Sequence, residues 1–457
     1  MEIIKVENIH SYVDNSKEQF LDILKELVSH PSVSTNKEDV HECALYIKSL
    51  MEKLGITADI IETKGNPVII ANIESKQKNR KTIIFYGHYD VQPPEPIELW
   101  NSDPFKPEVR DGRIYGRGVA DNKGQFLTHL LAVGAYLNQY DDVPVNIKIV
   151  LDGEEEIGSE NLTHFVRNNK ELLKADMVIT SDGPLEVNNI PLVQFGVRGV
   201  MNFDIIVETA TTDNHSGNKG GVIKNAAWEL MRILKTMIDD NDNVLIEGFY
   251  DDVNPIIESD LEIINNLEFN KEEIARAYGV KSIDLDKETF YKNLMLKPTL
   301  TINGLNSGYL GDGCKNIIPK KAVAKMEVRL VASQEPSDIL RKIEKHVKSV
   351  NNDAKVIQIE EDMYPSRTST DNKLGKIIIN SIKEYLGSDV VVKPAGGGSL
   401  PDYIWTNILN VPSIMVPYGN IDESNHAPNE NFMLELFYRG IHLSVQMIND
   451  LAYMVTV

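Results

Sequence analysis

Apolar side chains recur every three to four positions in "SKEQFLDILKELVSH" (16–30), which sets Phe20, Leu21, Ile23, Leu24 and Leu27 on one face. The same period runs through "VHECALYIKSLMEKLG" (40–55) to a terminating glycine, so both stretches predict helices. Downstream the pattern changes to short runs rich in Val and Ile: "PVIIANI" (67–73), "KTIIFYGHYDV" (81–91), "VNIKIVLDG" (145–153), "ADMVITSDG" (175–183) and "VPSIMVPYG" (411–419). Such runs predict buried strands. With a helical pattern between them in "KGQFLTHLLAVGAYLNQY" (123–140), the expected fold class is α/β, a mostly parallel-stranded sheet flanked by helices.

From about residue 198 to 363 the alternation is cleaner. "MNFDIIVETA" and "AVAKMEVRLV" alternate apolar and polar positions more clearly, as strands of a sheet with one wet face do. Helical patterns in "KNAAWELMRILKTMID" and "SDILRKIEKHVKSV" lie between them, the second with Ser337 as its expected N-cap. The domain reading is therefore 1–197 and 364–457 as two parts of one α/β domain, with an α+β domain at 198–363 inserted between them.

Composition narrows the partners. A formal charge of −21 and a pI near 5.0 oppose binding to nucleic acid or an anionic membrane surface. Two distant cysteines, Cys43 and Cys314, give no disulfide framework, no apolar run approaches a membrane span, and "MEIIKVENIH" lacks the features of a signal peptide. A cytoplasmic protein is expected.

Candidate chemistry gathers where strands end, the place at which open α/β sheets bind ligands. "GHYD" sets His88 and Asp90 two apart and on the same side of an extended chain, so that the carboxylate can orient the imidazole. Asp121 sits in a glycine-bearing loop opening a helix, in "YGRGVADNKG". "DGEEEIGSENL" puts Glu154, Glu155 and Glu156 side by side, which is costly unless solvent screens them or a cation lies among them. Taken singly, these also read as a surface or core-satisfied histidine, a helix-capping aspartate and a solvated loop.

Taken in order, "YGHYDVQPPEPIELWNSDPFKPEVRDGRIYGRGVADNKG", "DGEEEIGSENL", "SDG", "GVRG", "DNHSGNKGG", "KNIIPKKAVAKMEVRLV", "GGGSLP" and "NHAPNE" resemble the motif series of the co-catalytic zinc metallopeptidases, the family of carnosinases, non-specific dipeptidases, aminoacylases and N-acyl amino acid deacylases. "GFYDDVNP" through "KPTLTINGLNSGYLGDGCKNIIP" resembles its carnosinase and non-specific dipeptidase branch. The resemblance implies two divalent metal ions, zinc or else manganese or cobalt. His88, Asp182 and Asp121 would hold one, and Glu156, His426 and the shared Asp121 the other. It implies Glu155 as the catalytic base, with Asp90 beside it in the catalytic set, and leaves Glu154 as an exposed bystander.

His215 in "DNHSGNKGG" would stabilise the oxyanion in the other subunit of a homodimer. Arg329, Gly398 and Ser399 would hold the substrate, and the inserted domain would be the lid and dimerisation domain. One departure stands out: family members often carry a second aspartate after the bridging one, where this chain has Asn122. The activity implied is hydrolysis of small peptides with a free C-terminal carboxylate. An N-acyl amino acid deacylase is the alternative from the same chemistry, and a non-catalytic binding relative the alternative from another class.

Overall fold

In the computed structural model, which describes residues 4–359 and 362–453, the Val- and Ile-rich runs form the strands of a mixed sheet. In chain order the principal strands are β1 (Ala58–Ile61), β2 (Val68–Ile73), β3 (Thr82–His88), β4 (Asn146–Asp152), β5 (Met177–Thr180), β6 (Leu192–Gln194), β7 (Gly199–Glu208), β8 (Thr299–Ser307), β9 (Lys321–Leu330), β10 (Lys355–Gln358), β11 (Val391–Lys393) and β12 (Ser413–Met415). The helices of ten or more residues are α1 (Val6–Asn15), α2 (Lys17–Ser29), α3 (Lys37–Lys53), α4 (Gly124–Tyr140), α5 (Ala226–Met237), α6 (Pro336–Val350), α7 (Lys373–Leu386) and α8 (Leu434–Tyr453).

The chain divides into two units. The first comprises the chain up to Gly196, Arg367–Pro394 and the segment from Ile404. Its eight-stranded sheet has the order β1-β2-β4-β3-β5-β12-β6-β11. The four central strands β4, β3, β5 and β12 are parallel, with His88 opposite Asp152, while β1 and β2 join antiparallel at one side. Parallel strands need cover on both faces, and β3 is accordingly buried from Ile83 to His88. Helix α4 is buried from Gly124 to Tyr136, which explains why its sequence is apolar nearly all round.

The second unit comprises Val197–Ser366 and Ala395–Tyr403. Its four strands run antiparallel in the order β8-β9-β7-β10, with Gly199 opposite Leu330 and Glu208 opposite Lys321. Burial alternates along β7 and β9, and Met201, Phe203, Ile205 and Val207 pack with Leu230 and Ile233 of α5 and Ile339, Ile343 and Val347 of α6. The period-two pattern thus reports a sheet covered by helices on one face.

Three expectations need correction. Ser337 is not the N-cap: α6 starts at Pro336, whose missing N–H costs nothing in a first helical turn, and Glu335 precedes it. Residues 395–403, expected within the C-terminal part of the first domain, pack in the second unit, because Arg198 binds the carbonyls of Gly397 and Gly398. Strands β1, β6, β8, β10 and β11 and helices α1, α7 and α8 were not foreseen; β1, β6, β10 and β11 have three or four residues each, too few for a period to show. Among the described residues no helix is long and apolar enough to cross a membrane.

Candidate metal centre

Strand β3 ends on His88, β4 beside it ends on Asp152, and β5 on its other side leads into Asp182, so the parallel register brings three acidic or imidazole-bearing turns to one edge of the first unit. The loop Val119–Lys123 supplies Asp121 just before α4, with a cis peptide between Asp121 and Asn122. The segment after β12 supplies His426, in left-handed backbone at φ 54° and half-exposed.

Asp121 is the centre of the cluster. Its Oδ1 stands 3.0 Å from His88 Nε2 and its Oδ2 stands 3.0 Å from His426 Nε2. Asp182 Oδ2 lies 3.5 Å from His88 Nε2, and Glu156 Oε2 lies 3.1 Å from His426 Nε2. Two donor sets therefore share one carboxylate: His88, Asp121 and Asp182, and Asp121, Glu156 and His426. His88 Nε2 is buried and makes no hydrogen bond despite these neighbours, which leaves a ligating atom unpaired among the carboxylates. Imidazole and carboxylate donors without thiolate fit a divalent ion of the zinc class. Both cysteines are free, Cys43 buried and Cys314 exposed.

The electrostatics describe a site that attracts positive charge. Burial works against a proton on His88, yet Asp121, Asp182 and Asp90 outweigh it and hold the imidazole well above its ordinary value. Asp121 and Glu156 push His426 up to about 10. Burial raises Glu155 well above the usual carboxylate range, with the charges of Asp182, Asp121 and Glu156 adding to it against His88. Cations among these carboxylates relieve the same repulsion and compete with the two imidazole protons.

Glu155 itself is nearly buried, its Oε2 3.9 Å from His88 Nε2. Asp90 sits a layer behind. It is fully buried, accepts from the backbone N–H groups of Glu155 and Glu156 at 3.1 Å each and from Ser34 Oγ at 2.9 Å, and so positions the turn that carries both glutamates rather than meeting a reactant. His88 Nδ1 lies closer to the Asp90 backbone carbonyl, 3.1 Å, than to its carboxylate, 3.4 Å.

Glu154 overturns the expectation of an exposed bystander. It is 4% exposed, and its carboxylate accepts from Asn66 N at 2.7 Å, Asn161 N at 3.1 Å and Asn161 Nδ2 at 2.9 Å. A Cβ on Gly65 would fall 1.6 Å from Glu154 Oε1, so the loop before β2 can wrap this carboxylate only with glycine there. Glu154→Ala leaves a buried N–H unpaired and a cavity. It is expected to lower the free energy of unfolding by about 2–4 kcal/mol in urea denaturation, against under ~0.5 kcal/mol for a solvated side chain.

Asn122 donates from Nδ2 to Ser181 O at 2.6 Å while its Oδ1 accepts from His88 N at 3.3 Å. An ionised aspartate could not make the first bond, so the departure from the family pattern has a local use. Glu430 went unremarked in the sequence. Its buried carboxylate gathers Gly118 N at 2.9 Å, Ala120 N at 2.9 Å, Asp121 N at 3.1 Å and Arg117 Nη1 at 2.7 Å, fixing the backbone under Asp121. The one available signal was its place at the end of "NHAPNE". Glu423 was missed as well: it is buried with neither carboxylate oxygen hydrogen-bonded, and burial followed by the charges of Asp121 and Glu430 pushes it up to about 9.

The remaining candidates lie in the second unit. His215, at the end of a two-residue strand paired with Ile317, is exposed, and its Nδ1 accepts from Gly217 N at 3.1 Å, which leaves Nε2 as the N–H donor. Arg329 donates to Glu327 and, from Nη1, to Ser399 Oγ at 2.9 Å. Gly398 accepts at its carbonyl from Arg198 N at 3.1 Å.

Comparison with known proteins places this geometry. The chain is 29% identical over 484 residues to the Cys-Gly metallodipeptidase dug1 of Schizosaccharomyces pombe, covering 98% of this chain and 99% of that one. It is 26% identical to the Beta-Ala-His dipeptidase of Homo sapiens, covering 98% and 93%. Among solved structures it is similar to an M20 family metallo-carboxypeptidase from Sulfolobus solfataricus, with a TM-score of 0.84, 34% identity, and coverage of 95% of this chain and 99% of that one. Human carnosine dipeptidase 1 superposes with a TM-score of 0.76 at 26% identity, covering 99% and 100%. With the family model matched across residues 84–450, a span that holds both donor sets and the glutamate turn, the chain belongs to peptidase family M20/M25/M40.

Proposed function

We propose that this protein is a two-metal dipeptidase that cleaves the peptide bond of small peptides carrying a free C-terminal carboxylate. The observation that carries the reading is the single carboxylate of Asp121 facing two separate imidazoles at 3.0 Å each. His88, Asp121 and Asp182 would hold one divalent ion and Asp121, Glu156 and His426 the other, with zinc the best match to these donors and manganese or cobalt compatible. Bound there, the pair supplies Lewis acidity toward the scissile carbonyl and lowers the pKa of a water.

The chain's own groups do the rest. Glu155 takes the proton of the attacking water and returns it to the leaving amine, a transfer suited to a carboxylate whose burial keeps its proton affinity high. Asp90 holds the turn in place through two backbone N–H groups. His215, donating from Nε2, is proposed to stabilise the oxyanion in a second copy of the chain. Exposed apolar side chains on edge strand β8, Ile302 and Leu305, and on α5, Trp228 and Met231, support a homodimer formed through the second unit. Arg329, Gly398 and Ser399 are proposed to line the site of the substrate carboxylate. The two free cysteines support a cytoplasmic location.

Dipeptide-cleaving relatives favour this reading over the deacylase that the same metal chemistry would serve. Purified protein loaded with zinc or manganese is expected to release amino acids from unblocked dipeptides and to lose that activity to a chelator, with recovery when metal is restored. Cleavage confined to N-acetyl or N-succinyl amino acids would assign it to the deacylases. Chelator-sensitive cleavage of neither panel would support a non-catalytic relative.

A further inference from the structure

Helix α4 carries Gln125 and His129 four residues apart, on one face, and both side chains are fully buried. That face meets the turn 181–183 after β5, from which Asp182 joins the first donor set. Gln125 Nε2 donates to Gly183 O at 3.1 Å and to Ala120 O at 2.9 Å, the carbonyls after Asp182 and before Asp121, while its Oε1 accepts from Tyr418 N at 2.7 Å. His129 Nε2 lies 2.8 Å from Ser181 Oγ, on the other side of Asp182 in the chain. Asp182 Oδ1 accepts from Gly183 N at 2.7 Å, which leaves Oδ2 for the donor set, 3.5 Å from His88 Nε2.

The hydroxyls fix the tautomer of His129. Ser181 Oγ gives its single hydrogen to Val416 O at 2.7 Å, so the imidazole donates to Ser181 and carries its proton on Nε2. Nδ1 then accepts from Ser444 Oγ at 3.0 Å, and Tyr418 Oη lies 3.2 Å from the same hydroxyl. Burial draws the imidazole down to about 3, so the ring is neutral, and Phe85 stacks on it with ring centroids 4.2 Å apart. An apolar side chain could fill this part of the core. What the histidine adds is one directed N–H aimed at the turn that carries a donor.

We propose that His129 is a positioning residue for the metal centre: its Nε2–H sets the Ser181 end of the turn, so that Asp182 Oδ2 stands in place for the ion shared with His88 and Asp121. This rests on the two-metal reading. The loop under Asp121 is held separately by Glu430, and Glu156 and His426 lie on other segments, so the effect of His129 is confined to one of the two ions.

The test titrates zinc into the apoprotein against a chromophoric chelator. The wild type is expected to bind two ions. His129→Leu weakens one of them by about 10–100-fold and leaves the other within about threefold. His129→Gln, which returns an N–H donor near the position of Nε2, recovers most of that loss. Ser181→Ala removes the acceptor with little change in volume, reproduces the loss, and serves if the leucine variant does not fold. The effect must also run through Asp182: His129→Leu weakens the ion that remains in His426→Ala and leaves the one that remains in Asp182→Ala unchanged. Equal weakening of both ions, a loss that persists in Asp182→Ala, or no recovery with glutamine overturns the assignment. A lower melting temperature of the apoprotein with both affinities unchanged makes His129 a core residue only and overturns it too. A wild type that binds no zinc overturns the two-metal reading and this inference together, whereas two ions held equally well by the wild type and the His129 and Ser181 variants overturn this inference alone.

Discussion

Replacing Glu155 with alanine is expected to lower kcat on a dipeptide by about 10²–10⁴-fold while the protein keeps its metal. Glu155 belongs to neither donor set, yet its carboxylate lies within 3.9 Å of His88 Nε2, close enough to reach a water held between the sets. Its backbone N–H, not its side chain, makes the contact with Asp90, so the turn survives truncation. Glu155→Gln, which keeps the shape and removes the basic oxygen, should fall as far as alanine. Metal content by elemental analysis and single-turnover rates check the two halves of the expectation. A variant that turns over within tenfold of the wild type would remove Glu155 as the base, and one that loses its metal would make it a ligand.

Asp121→Ala is expected to take bound metal from about two ions per chain to fewer than one and to abolish activity. Neither donor set is complete without this residue, because each keeps only two side chains once the shared carboxylate is gone. His426→Ala removes a ligand from one set alone, so it should retain about one ion. The comparison is informative because the loop itself is anchored by Glu430 through backbone N–H groups, independently of the Asp121 side chain. Melting temperature at saturating metal for both variants checks that the fold is intact. Two ions retained in Asp121→Ala would end the shared-carboxylate proposal.

Much of this arrangement was legible in the sequence for a physical reason. Residues that must lie at the carboxyl ends of parallel strands follow directly on apolar runs, so His88 and Asp182 could be located from the runs alone. Asp121 was marked by its glycines and by the helix it precedes. Hidden from view was whatever depends on contacts distant in the chain. Glu154 and its neighbours Glu155 and Glu156 are chemically identical in the sequence, and only the approach of Asn66 and Asn161 makes the first a buried anchor. Glu430 takes its role from a loop more than three hundred residues earlier. The glycine-rich loop 395–399 read as part of the C-terminal segment, and its two hydrogen bonds to Arg198 put it elsewhere.

The clamp of Glu430 on the Asp121 loop also sets an order of events during synthesis. Residues 88, 121, 155, 156 and 182 emerge early, but His426 and the carboxylate that fixes the loop under Asp121 arrive only in the last part of the chain. A nascent chain halted anywhere before them has one donor set without its imidazole and the shared carboxylate on an unanchored loop. Assembly of the two donor sets is thereby tied to synthesis past residue 430, and a fragment that ends earlier lacks both the second imidazole and the anchor of the shared carboxylate.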